Sequence, residues 1–349
     1  MRKDELEAKV RSGEVISGAY LADLDLSGVD LGGGIFEHTS FRGSKLPGAS
    51  LKEAMFMECD FAGADLRGAT LRHVLLSKCD VARVDLTDAN LTAAKVLECD
   101  LSGAVLRGAE LVLAHFVDGN LANADLSGAS LDRTAILGGT TTGLLLRGAR
   151  MSHAVLMKAD LTETDFAGAT LDACVLSESR LAGSSFAGMS LVGCQLMGAD
   201  LSGCDLSGAT LDRCGFKDAN LRGARLDGAR AAHAVLVGAS LVGASLRDVV
   251  LRQALLIEAD ATDADLTGAV LVESVAHRAV LVRAKLAGAD LTYADLSHAD
   301  LSGADLSGAK LFRTQLHRIR DAGATFTSRA LSVGDDPKLA KAEDWTPAD

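Results

Sequence analysis

A period of five residues governs this chain. Steps of five from Ile16 pass through Leu21, Leu26, Leu31, Phe36 and Phe41 and reach Leu316 without a change of phase, 61 stops in all. Only Thr141, Ala231, Ala261 and Ala276 interrupt this run of large apolar residues. Two residues before each such centre stands a small residue, usually Ala, and neither slot carries a charge or a His between residues 16 and 316. Both slots therefore point inward. The residue before the centre, often Asp, Asn, Ser or Thr, the mixed residue after it and the following residue, predominantly Gly, face water.

Five matches neither the 3.6-residue period of a helix nor the two-residue alternation of a strand. A corner every five residues does match it: 28 of the 36 Gly stand two after a centre, and Gly13 and Gly323 continue the same phase, where a turning backbone takes positive φ. Four sides close a square coil of twenty residues, and stacked coils repeat at about the ~4.8 Å spacing of neighbouring strands. The expectation is about fifteen coils in a rod roughly 70 Å long, each coil burying its face on the next.

The run "ADLSGADLSGA", residues 299 to 309, resembles the pentapeptide-repeat family, and the resemblance extends over residues 16 to 318. It implies an all-β, right-handed quadrilateral β-helix solenoid. For function it implies less, because the family includes DNA mimics that act on gyrase, secreted effectors and members without known activity.

The formal charge of −12 argues against direct, sequence-independent binding to nucleic acid, which needs clustered Lys and Arg. No run of eighteen apolar residues suggests membrane insertion, and "MRKDELEAKVRSGE" is too charged for a secretory signal, so a soluble cytoplasmic protein is expected. All seven Cys occupy the inward small slot in place of Ala and read as buried thiols. All eight His fall in outward slots. His277, His298 and His317 share one side in three successive coils, but their offsets do not converge on one ion, so no metal site and no cofactor are expected. Ser, Asp and His lie on flat outward walls, not in a sheltered pocket, which argues against catalysis.

The ends depart from the repeat. Residues 1–13 read as an N-terminal capping helix, with Asp4 as cap, Leu6 and Val10 on one face and Gly13 as the stop. Residues 14–333 form the β-helix, and residues 334–349 read as a flexible tail, although Asp336 before Pro337 permits one helical turn. At Thr141 and Leu144 the large and small inward slots exchange, which predicts a bulge. The Ala centres at 231, 261 and 276 predict a thinner core.

Sorting the outward residues by side separates the walls. Two are acidic, one through Asp60, Asp80, Asp100, Asp160, Asp200, Asp260 and Asp300, the next through Asp25, Asp65, Asp85, Asp125, Asp165, Asp205, Asp265 and Asp305. A third is apolar. Before its centres stand Ile35, Met55, Leu75, Val155, Val175, Val235, Leu255 and Val275, and after them Met57, Leu97, Val117, Leu137, Met157, Met197, Val237 and Ile257. A greasy stripe along about twelve coils exceeds what soluble monomers normally expose. It predicts a non-catalytic scaffold or adaptor that holds another protein, or a second copy of itself, along this wall. The segment "ELEAKVRSGEVISGAYLADLDLSGVDL" is similar to pentapeptide-repeat proteins that accompany bacterial type VI secretion machinery. The alternative is a DNA mimic that acts on gyrase through its acidic walls.

Overall fold

A computed structural model describes residues 2–345. Two compact units divide the chain, residues 1–180 and 181–349. In both, every twentieth residue pairs in parallel with its counterpart, as in Asp60 with Asp80 and Val235 with Leu255, so each coil has the four expected sides. The fold is the right-handed quadrilateral β-helix.

Unit 1 begins with α1 (Lys3–Arg11). Leu6 and Val10 are buried, as their spacing predicts, but the cap position is Arg2, and Asp4 lies inside the first turn, where it faces the positive end of the helix dipole. Glu7 Oε1 accepts from the Asp30 N–H at 3.1 Å, so the helix also satisfies a donor of the first coil. One side of each coil is then a true strand. These strands are β1 (Val15–Ser17), β2 (Ile35–Glu37), β3 (Met55–Met57), β4 (Leu75–Ser77), β5 (Lys95–Leu97), β6 (His115–Val117) and β7 (Ala135–Leu137), which pair in order as a seven-stranded parallel sheet. The other sides carry single bridges between tight turns.

The predicted irregularity near Thr141 is where this pattern changes. Thr141 and Leu144 are both buried, and the next strands, β8 (Arg150–Ser152) and β9 (Thr170–Asp172), lie on the neighbouring side of the coil. Gly139 permits the change: it has φ +73°, and a Cβ there would overlap the Gly119 carbonyl.

Unit 2 is more uniform. Bridges alone define its coils until β10 (Asp305–Leu306) pairs with β11 (Thr325–Phe326). The final coil closes early: Gln315 pairs with Val333, and Leu316 N–H donates to the Val333 carbonyl at 2.8 Å. A short helix, α2 (Pro337–Glu343), follows, with Asp336 accepting from the N–H groups of Lys338 and Leu339. The stretch expected as a flexible tail thus contains a capped helix; residues 346–349, part of that expectation, lie outside the described residues.

The inward register is as expected. Centres and small slots are almost uniformly buried from Leu21 to Leu316. In unit 1, Phe36 stacks on Phe56 at 4.8 Å and Phe41 on Phe61 at 4.6 Å. In unit 2, the small centres Ala261 and Ala276 border an apolar cavity of about 20 Å³, closed by Leu256, Leu271 and Leu281 among others. The thinner core is therefore real. The corner slot takes φ between about +50° and +75° whatever its residue, including Glu53, His73, Lys158 and Arg213. Glycine is favoured at that corner but not required.

The buried Cys share a bonding pattern with Ser and Thr in the same slot. Thr39 donates to the Ile16 carbonyl, Cys59 to Phe36, Cys79 to Phe56 and Cys174 to Met151, each 23 residues earlier. Cys204 and Cys214 do the same toward Leu181 and Leu191 at 2.9 Å. All seven are buried. Burial pushes Cys204 and Cys214 up to about 12, so they stay protonated and unreactive at neutral pH.

Candidate interaction surfaces

None of the sixteen apolar outward residues is buried. Met55, Leu137 and Met197 are exposed, and Ile35, Met57, Leu75, Leu97, Val117, Val155, Met157, Val175, Val235, Val237, Leu255, Ile257 and Val275 are half-exposed. The expected continuous stripe is, however, interrupted. In unit 1 the column before the centre runs Ile35, Met55, Leu75, then Lys95, His115 and Ala135, then Val155 and Val175. The column after it compensates, because it begins with Glu37 but becomes Leu97, Val117 and Leu137 beside those polar positions. The apolar path therefore crosses from one column to the other, with Lys95 and His115 at its edge.

The same wall in unit 2 is broken by Gln195, Gly215 and Lys217 and then becomes solid. Val235, Leu255 and Val275 pair in succession, with Val237 and Ile257 after the centres of the first two coils. These five aliphatic side chains form one block over three coils, bounded by Lys217 below and Asp295 above. The backbone distinguishes the two patches. In unit 1 the apolar wall is the strand-bearing side from β2 to β7, so preference of aliphatic residues for extended backbone accounts for part of its composition. The block in unit 2 sits on single bridges like every other wall around it. Local backbone preference leaves its composition unexplained.

The acidic walls carry a structural duty that the sequence alone does not reveal. Asp60, Asp80, Asp100, Asp200 and Asp205 each accept, through Oδ1, the N–H two residues ahead, at 2.9–3.1 Å. Each therefore closes its own corner as an Asx-turn, and the second carboxylate oxygen remains for other partners. Basic side chains take several of these. Arg42 reaches Asp60 at 2.7 Å and Asp80 at 3.3 Å, Arg107 pairs with Asp125 at 2.6 Å, and Arg320 with Asp300 at 3.2 Å. Amide groups relieve the stacked charges elsewhere: Asn120 donates to Asp100 and Asn220 to Asp200. The bond from Arg67 holds Asp65 below its ordinary range, and bonds from Ser207 and Ser302 do so for Asp205 and Asp300.

His317 corrects another expectation. Its slot faces outward, yet α2 and the final coil cover it to 3% exposure, and it stands beside His298 and Glu343. The sequence placed the two rings on one side but could not place Glu343, because the helix that carries it was read as a tail. His277 meets His298 edge to face, with ring centroids 5.1 Å apart.

A family model described as pentapeptide repeats matches six overlapping segments between residues 142 and 318, and a second, described as a pentapeptide repeat region, matches residues 29–106. The chain belongs to the pentapeptide-repeat family. No curated protein sequence matches it significantly. Among solved structures, trypsin-treated QnrB1, a plasmid-mediated fluoroquinolone resistance protein, is 21% identical over 52% of this chain and 89% of its own, with a TM-score of 0.35. HetL, a pentapeptide-repeat protein involved in heterocyst differentiation regulation in the cyanobacterium Nostoc sp. strain PCC 7120, is 25% identical over 90% of this chain and 96% of its own, with a TM-score of 0.16. A pentapeptide-repeat protein of the Arabidopsis thaliana thylakoid lumen is 32% identical over 30% of this chain and 69% of its own, with a TM-score of 0.20. Superpositions this loose say nothing about what the chain binds. Among the described residues, no helix is long and apolar enough to cross a membrane.

Proposed function

We propose that this pentapeptide-repeat protein is a non-catalytic binding scaffold that holds another protein, or a second copy of itself, on its apolar wall. The observation that carries this reading is the block Val235, Val237, Leu255, Ile257 and Val275, half-exposed on three successive coils without a charged residue among them. Desolvating such a block supplies the apolar centre of an interface, and Lys217 and Asp295 supply a polar rim. The unit 1 patch around Val155, Met157 and Val175 extends the same chemistry. A role as an accessory of type VI secretion machinery is a narrower form of this reading and rests on residues 5–31 alone.

The test is Val235→Asp combined with Leu255→Asp. Both side chains point outward, so the melting temperature should hold, while buried interface anchors typically cost about 2 kcal/mol or more each when removed. The expected outcome is loss of concentration-dependent self-association, or of partners retained from the native host. A folded variant that keeps both its mass in solution and its full set of partners would overturn the scaffold.

One observation favours a second reading, in which the protein mimics DNA toward gyrase as some members of the family do. Asp60, Asp80 and Asp100 stack in consecutive coils with one carboxylate oxygen each turned from the corner. Replacing these three together with Asp200 and Asp205 by Asn preserves the Oδ1 acceptor of every corner and removes the charge. Inhibition of gyrase supercoiling by the parent protein and its loss in this variant would support mimicry; no inhibition by the parent at micromolar concentration would exclude it.

A further inference from the structure

Two histidines of the last coils and one glutamate of α2 converge on a single point. His298 Nε2 lies 3.2 Å from Glu343 Oε1, and His317 Nε2 lies 3.3 Å from Glu343 Oε2. One donor atom from each of the three residues lies within 4.8 Å of the other two. We propose that His298, His317 and Glu343 form a three-ligand site for a divalent cation of the zinc class, with water as the fourth ligand.

The convergence of three donor atoms, more than either distance, points to coordination, since each contact alone is also a hydrogen bond. An imidazolium–carboxylate hydrogen bond closes to about 2.7–2.9 Å. The contact between His298 and Oε1 matches the edge, about 3.3 Å, of a tetrahedron with metal bonds of about 2.0–2.1 Å. Two imidazoles and one carboxylate are also the donor set of zinc sites that keep an open position, whereas calcium and magnesium prefer all-oxygen shells.

The surrounding groups hold these donors in place. Arg318 Nε lies 3.2 Å from Glu343 Oε2 and orients the carboxylate, which leaves Oε1 for the ion. His317 is almost fully buried, and its Nδ1 accepts from the Asp336 N–H at 3.1 Å, so the neutral ring carries its proton on Nε2. Metal binding at Nε2 would place the ring's proton on Nδ1 and displace the Asp336 N–H from it. Asp335 Oδ1, 3.6 Å from Nδ1, would have to approach to accept that proton, as the carboxylate partner of a metal-bound histidine does. The bound ion ties α2, which buries no side chain of its own, to the coils beneath it.

The test uses the full-length protein, zinc chloride and two readouts: calorimetric titration, and the rate of trypsin cleavage at Lys338 and Lys341. One ion should bind per chain and slow cleavage. Glu343→Gln and His298→Ala should each weaken binding at least about tenfold, with metal-free melting temperatures unchanged, and His277→Ala should bind as the parent does. The site is refuted by the absence of saturable one-to-one binding, by parental affinity in Glu343→Gln, or by equal losses in His277→Ala and His298→Ala. Binding that leaves the cleavage rate unchanged refutes the tie to α2.

Discussion

The two units obey one five-residue rule and solve different problems with it. Unit 1 varies its backbone: one side of each coil is a strand, that side changes near Gly139, and stacked Phe rings occupy the core of its first coils beside a smaller cavity of about 10 Å³. Unit 2 keeps its backbone uniform and varies its volume, dropping to Ala at centres 231, 261 and 276 and leaving a void beside two of them. On the strand-bearing sides of unit 1 the turn bond from the small-slot N–H to the centre carbonyl is replaced. Side chains such as Thr39 and Cys59 donate to that carbonyl from the next coil. At Ile16, Phe36, Phe56 and Met151 a buried hydroxyl or thiol takes up the carbonyl left by the changed turn, whereas the change of volume in unit 2 leaves the ladder intact.

The largest effect expected lies at the shared rule itself. Leu201→Asp places a charge at a fully buried centre of unit 2 and should destabilise by about 5 kcal/mol or more, against a few tenths for Ser202→Asp on the adjacent outward slot. Similar shifts in denaturation midpoint for the two would break the inward register. Next comes the aromatic column. Phe56→Ala removes the ring between Phe36 and Phe61 and should cost about 3–5 kcal/mol. A cost no greater than that of Leu256→Ala, which lines the unit 2 void, would erase the distinction between the two cores.

Ala261→Val should act in the opposite direction. Its two added carbons enter the void and should raise stability by about 1 kcal/mol; a loss would mean that the surrounding Leu side chains cannot accommodate them. Smallest per residue is the response to acid. Asp65, Asp205, Asp300 and Asp305 are held below the ordinary carboxylate value of 3.8 by hydrogen bonds from Arg67, Ser207, Ser302 and Ser307, in that order. A depressed folded-state value means that the stabilisation is complete above 3.8 and is lost as pH falls through the folded values. The melting temperature should therefore be level between about pH 7 and 5 and decline below about pH 4, in both units. Stability that rises in that range would contradict the corner bonds.

The period made the fold legible because it assigns each side chain an inside or an outside, and burial of centres such as Leu201 and Phe216 follows from that alone. It does not specify the backbone at each corner. The left-handed conformation of Glu53 and Arg213 and the shift of the strand-bearing side after β7 depend on the neighbouring coil, whereas the Asx bonds of the acidic columns are local to each corner. Of the candidate surfaces, the apolar columns could be named residue by residue from the sequence. The crossing of the unit 1 path around Lys95 appears only when both columns are followed from coil to coil. His317 was misread because its outward slot is covered by α2, a helix signalled only by Asp336 and Pro337.

The shortened final coil has a consequence for assembly. A parallel solenoid is a template for itself, since each coil offers the row of donors and acceptors that the next one needs, and an open last coil invites head-to-tail growth into a fibre. Here the pairing of Gln315 with Val333 spans eighteen residues where every pair before it spans twenty. An incoming coil of standard length cannot match that row on all four sides at once. The two missing residues thus put the last row out of register with a standard coil, which disfavours head-to-tail growth at this end.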